Sequence, residues 1–191
     1  MRISTRISLV TALALGTILP LTATASDLGY TYVEARYLDI DSGDKGSADG
    51  ATAIGWFRFH ENVFAIGQIV ASESDSGTDV TTGVLGTGFI MPLSARWDAV
   101  AIATWRSTEI DSVARDVSET GYGAQLGLRG MPIDKFEARA FVNYVDVIDD
   151  STSVFVSGDY FFSPKLAAGI AAEFGDAADT ISLGVRYSFG L

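Results

Sequence analysis

Cysteine is absent from the 191 residues, histidine occurs once, at His60, and there are only four prolines. Without cysteine the chain has no disulfide, no metal thiolate and no cysteine nucleophile. With one histidine, acid–base chemistry would rest on carboxylates alone, and none of their spacings selects a catalytic pair. Basic residues are also scarce, 13 Lys+Arg against 24 Asp+Glu. That balance offers no basic face to the phosphates of nucleic acid. Beyond the first 21 residues no apolar run approaches 18, which excludes helical membrane spans. No glycine-rich phosphate loop or nucleophile elbow occurs either. The sequence therefore reads as neither an enzyme nor a cofactor carrier, and no metal site is assigned.

What is present does not fit an ordinary acidic domain. The chain has 20 glycines and 48% apolar residues, and a positive mean hydropathy of +0.26. Apolar and charged residues must then share the same segments. At the N-terminus, Arg2 and Arg6 precede an apolar stretch from Ile7 to about Leu21 and an Ala23-Thr24-Ala25 site. This layout predicts a signal peptide over 1–25, cleaved before Ser26, and a single domain over 26–191. Its removal takes two arginines away and leaves the acids untouched.

From Tyr30 onward apolar and polar residues alternate with a period of two, the pattern of a strand with two unlike faces. Glu34 and Arg36 face away from Val33, Ala35 and Tyr37; Tyr122, Ala124, Leu126 and Leu128 face away from Gln125 and Arg129. Ten such segments can be counted, about 9–11 residues each, the length of a tilted membrane strand. Eight is the alternative count, with Val63–Ser72 and Val80–Ile90 in question because neither has a charge that separates its faces. Five Asp/Ser/Gly-rich loops, among them 39–50, 73–79 and 107–118, alternate with four short turns. The expected fold is a closed antiparallel up-and-down transmembrane β-barrel. Its even strand count puts both termini on the side of the short turns.

The apolar face supports this by a separate route. Phe57, Phe59, Trp97, Phe136, Tyr160, Phe162, Tyr187 and Phe189 fall near the turn end of their strands. Tyr37, Trp105, Tyr122, Tyr144 and Phe174 fall near the loop end. Two aromatic belts around an Ala/Val/Leu/Ile/Gly band suit the two interfaces of a bilayer. Every mid-strand charge lies on the other face, because one facing lipid costs about 2–4 kcal/mol at mid-depth. The expected lumen charges are Glu34, Arg36, Arg58, Arg106, Arg129, Glu137, Arg139, Asp159, Glu173 and Arg186.

The last strand, Asp179 to Phe189, contains Ser182-x-Gly184-x-x-Tyr187-x-Phe189. This resembles the C-terminal signal of bacterial outer-membrane barrels, a polar residue, glycine and two aromatics, although Gly190-Leu191 follows the last aromatic. The resemblance implies that Gly184, Tyr187 and Phe189 are read by the barrel-assembly machinery. Together with the leader and strand pattern, the chain resembles the small outer-membrane barrels of the OmpA-transmembrane or OmpX type. Tyr30–Tyr37 also resembles the first strand of short barrels of a quorum-sensing-factor-like family. The family implies a location in the bacterial outer membrane among lipid and lipopolysaccharide.

The first functional expectation is a structural or surface-interaction role with a lumen mostly filled by paired Arg, Glu and Asp side chains. A narrow, porin-like diffusion pore is the second, and an exported soluble β-barrel carrying an apolar ligand the third. The acidic loops supply oxygen ligands of the kind that hold Ca²⁺ or Mg²⁺, ions that lipopolysaccharide phosphates would bring.

Overall fold

The structure is a computed structural model and describes residues 28–43, 46–112 and 116–189. The leader and its cleavage site lie outside the described residues. Ten strands follow in order: β1 (Tyr32–Asp41), β2 (Ser47–His60), β3 (Val63–Ser74), β4 (Asp79–Ser94) and β5 (Trp97–Asp111). Then come β6 (Asp116–Ile133), β7 (Phe136–Asp146), β8 (Asp150–Phe161), β9 (Leu166–Gly175) and β10 (Asp179–Ser188). Each pairs antiparallel with its sequence neighbour, and β1 pairs with β10, closing the barrel. The count of ten holds over eight, and closure leaves no free sheet edge.

Period-two alternation fixes which side chains turn inward. On β1 the even-numbered residues Tyr32, Glu34, Arg36 and Leu38 are buried, and Val33 and Tyr37 are exposed. On the outside, Leu85, Leu126, Ile170, Leu183 and Val185 lie in the apolar band. Phe57, Phe59, Tyr160, Phe162, Tyr187 and Phe189 are exposed at the end where the termini lie; Tyr37, Trp105, Tyr122, Tyr144 and Phe174 are exposed at the other. Trp105 and Tyr122 sit directly opposite each other on neighbouring strands. So large an apolar surface has no place in water. It belongs in lipid, which sets aside the soluble carrier.

The outer loops are shorter than the sequence suggests. Asp39 and Asp41 pair across from Asp49 and Ser47, so the first connection shrinks to 42–46. Glu73 pairs with Asp79, and Asp111 with Asp116. Turn-forming residues predict loops, but here Ser, Thr and Asp simply continue the ladder above the membrane as exposed strand. Among the described residues no three acids or histidines gather in a way that could hold a metal ion.

The strands with unresolved faces have an evident cause. Phe64 and Ile66 of β3, and Val84 and Ile90 of β4, are buried inside the barrel. Ile69, Leu85 and Phe89 face outward. Both faces are apolar, so polarity carries no contrast there.

Candidate functional site: an ion-paired layer and a cavity in the lumen

The inner half of the lumen, toward the termini, is divided between two kinds of side chain. On one side a charged layer is hung from β1, β6, β7, β8 and β10. Arg186 stands at its centre. Its Nε donates to Glu34 Oε2 at 2.8 Å, Nη1 to Glu137 Oε1 at 2.7 Å and Nη2 to Asp159 Oδ2 at 3.0 Å. Arg139 Nη2 donates to Asp159 Oδ2 at 2.9 Å and to Glu34 Oε2 at 3.2 Å, and its Nε to Ser157 Oγ at 2.8 Å. Arg36 bonds Glu34 and, through Nη2, Asp159 Oδ1 at 2.9 Å. Arg129 Nη2 bonds Glu137 Oε2 at 2.8 Å and the Gly29 carbonyl at 2.7 Å. All seven side chains are buried.

Strand register alone would make this arrangement unfavourable. Arg129 lies directly opposite Arg139, and Glu137 directly opposite Asp159. Like charges so placed repel. Each escapes by bonding to opposite charges on its own strand or other strands, so the layer holds as a network and not as pairs. Space for this comes from two glycines. A Cβ on Gly184 would sit 2.3 Å from Arg36 Cγ, and one on Gly169 would sit 2.2 Å from Asp159 Oδ1. The glycine in the C-terminal pattern thus faces the lumen beneath an arginine, while Tyr187 and Phe189 point to lipid in an edge-on pair at 5.2 Å.

The other side of the lumen is aromatic and aliphatic. Trp56 stacks on Phe64 at 4.3 Å and on Tyr32 at 5.4 Å, with Ile66, Ile90, Val100 and Ile102 in the same cluster. Residues 28–30 precede β1 and enter the barrel, where Leu28 and Tyr30 are buried. Tyr30 Oη donates to Asp98 Oδ2 at 2.8 Å. The two halves meet where guanidinium groups cover tyrosine rings: Arg129 over Tyr30 at 4.2 Å and Arg186 over Tyr32 at 4.4 Å. Such contacts strengthen when water is excluded.

The ten charges read from the sequence therefore separate into groups. Glu34, Arg36, Arg129, Glu137, Arg139, Asp159 and Arg186 come together. Arg106 and Glu173 lie in the outer half, half-buried. Arg58 joins neither; it is exposed at the end of β2, where the register with β3 shifts between Arg58 and His60 and the wall ends. His60 is exposed beside it. Asp98, Tyr30 and the aromatic stack were not foreseen. Asp98 follows a turn and looks like turn chemistry, yet its even position on β5, shared with Val100 and Ile102, marks it as inward.

No family model and no curated protein matches the chain, but solved structures do. An outer-membrane channel from Pseudomonas putida F1 matches over 90% of this chain and 100% of its own, with 10% identity and a TM-score of 0.54. The KdgM porin, solved with a disordered oligogalacturonate, matches over 84% and 100%, with 11% identity and a TM-score of 0.48. Ail, the attachment invasion locus protein of Yersinia pestis, matches over 83% and 95%, with 13% identity and a TM-score of 0.43. At such identities the likeness is one of fold. The fold is that of the bacterial outer-membrane β-barrels, and with its lipid-facing exterior this chain is an outer-membrane protein.

Proposed function

We propose that the chain is a non-conducting, non-enzymatic outer-membrane barrel that acts at the cell surface, with its lumen closed in the inner half. One observation carries this reading: the buried layer around Arg186 and the aromatic stack around Trp56 lie side by side within the inner half of the barrel. An ion crossing that layer would have to part several charge-assisted hydrogen bonds, each stronger than a neutral one. Ten strands also enclose far less space than the 16–18 of open porins. What remains for function is the outer face, with its acidic hairpin ends and the cavity beneath them. The last strand, with Gly184, Tyr187 and Phe189, is the segment that the assembly machinery would read. The test is planar-bilayer recording with purified, refolded protein. Closed traces are expected, and a sustained, voltage-independent current refutes the reading in favour of a narrow pore.

A further inference from the structure

Above the ion-paired layer the lumen opens into a cavity of about 280 Å³, near the lower limit of small-molecule sites, about 300 Å³. Trp56, Phe141 and Arg139 line its inner end; Ile40, Val145 and Thr180 line it at the level of the outer hairpins. Besides Arg139, which belongs to the layer below, two charges stand on its wall among apolar and neutral polar side chains, Arg106 on β5 and Glu173 on β9. Those strands are four apart in a ring of ten, so the two side chains face each other across the lumen. Neither has an ion-pair partner among the described residues.

Each charge has bonding capacity left over. Arg106 touches Thr104 Oγ1 through Nε at 3.5 Å, and neither terminal nitrogen has a hydrogen-bond partner among the described residues. Glu173 Oε1 accepts from Asn143 Nδ2 at 2.9 Å and from Ser153 Oγ. Oε2 accepts from no described residue, and Asn143 Oδ1 is buried without a partner beside it. Acceptors thus cluster on one wall and donors stand on the opposite wall. The acids of the outer hairpins do not enter this site: Asp39, Asp49, Asp79, Asp111 and Asp116 are exposed at outward-facing positions of their strands. The two walls suit a molecule that bears one anionic and one cationic group and no net charge.

We propose that the outer half of the lumen binds a small zwitterion with an apolar side group, of the class of the free aliphatic amino acids. Its carboxylate lies on Arg106, its ammonium on Glu173 Oε2 and Asn143 Oδ1, and its side group against Ile54, Ile66 and Phe155. The site deepens the surface role by giving it a ligand, and it rests on the closed-lumen reading only in being a dead end.

The test is calorimetric titration of the refolded full chain in detergent with L-leucine, 4-methylpentanoate (no ammonium) and isoamylamine (no carboxylate). Leucine should bind saturably and each analogue at least about tenfold more weakly, the loss of one charge-assisted contact. Arg106→Gln should weaken leucine and 4-methylpentanoate while sparing isoamylamine, and Glu173→Gln should weaken leucine and isoamylamine while sparing 4-methylpentanoate. Arg106→Lys, which keeps the charge, should retain binding within a few fold. Heat-modifiable gel mobility verifies that each variant is folded. Absence of saturable leucine binding to the folded barrel, or unchanged leucine affinity in both charge-removing variants, overturns the site. Bilayer recordings on the same preparation separate the two readings. Closed traces without leucine binding sink the site alone; sustained current with intact binding sinks the closed lumen alone.

Discussion

Glu137→Gln is the sharpest perturbation of the charged layer, because the change is nearly isosteric and its consequences fall unevenly. The carboxylate bonds Arg129 at 2.8 Å and Arg186 at 2.7 Å, and lies 3.8 Å from Arg139. Arg186 and Arg139 each keep Glu34 and Asp159. Arg129 keeps no carboxylate among its ion-pair partners, but the Gly29 carbonyl and the rings of Tyr30, Tyr32 and Trp56. Among the described residues the inner lumen holds four buried arginines and, with Asp98, four buried carboxylates. The substitution leaves one positive charge uncompensated, and breaking a buried pair from one side costs about 3–5 kcal/mol. Adding Arg129→Met restores neutrality and packs a thioether on Tyr30 and Trp56. Since replacing both members of a buried pair is often close to neutral, the double variant should recover at least ~2 kcal/mol of the loss. Urea titration in lipid vesicles, followed by tryptophan fluorescence, measures both. A single variant within ~1 kcal/mol of the parent, or a double variant less stable than the single one, refutes the network account.

Two further substitutions probe the wall. Leu126 is 65% exposed on the lipid face, between Ala101 and Val142 of the flanking strands. Leu126→Arg should destabilise the folded barrel in the same titration by about 2–4 kcal/mol, and Gln125→Arg, one residue away but facing the lumen, by less than half of that. Gly184→Ala would place a methyl group 2.3 Å from Arg36 Cγ and 2.6 Å from the Ala35 carbonyl. Overpacking of this kind costs about 1–3 kcal/mol, and the heat-modifiable fraction in isolated outer membranes should fall; an unchanged fraction means that Arg36 has no need of that space.

The barrel was legible because lipid imposes its rule on every strand. Ala101, Leu126 and Val142 had to be apolar, and Glu34, Arg129 and Arg186 had to turn away from them. The belts were legible for the same reason, since Trp105 and Tyr122 mark a height that a soluble barrel does not possess. Inside the lumen no uniform rule applies. Trp56 and Phe64 are as acceptable there as Arg139, so the aromatic half could not be distinguished from lipid-facing residues on β3 and β4. Alternation also assigns a side and never a partner. It placed Arg58 inward by parity without showing that the wall ends there, and it gave Arg106 and Arg186 the same standing, though one is enclosed by three carboxylates and the other faces an open cavity.

The closing strand ties assembly to the charged layer. Arg186 lies on β10 directly opposite Glu34 on β1, 152 residues away in sequence. Until those strands pair, Arg186 lacks Glu34, and Arg36 and Glu34 are separated from the acids and arginines of β7 and β8. An incomplete barrel in lipid would then hold buried charges without their partners, which is strongly unfavourable. Closure supplies ladder hydrogen bonds and completes the neutral set in one step. Gly184 serves both events, since it sits opposite Arg36 in the same pairing and leaves room for that side chain to reach Asp159. A segment that resembles an assembly tag is, on this account, also the piece that makes the partly closed barrel costly and the closed one cooperative.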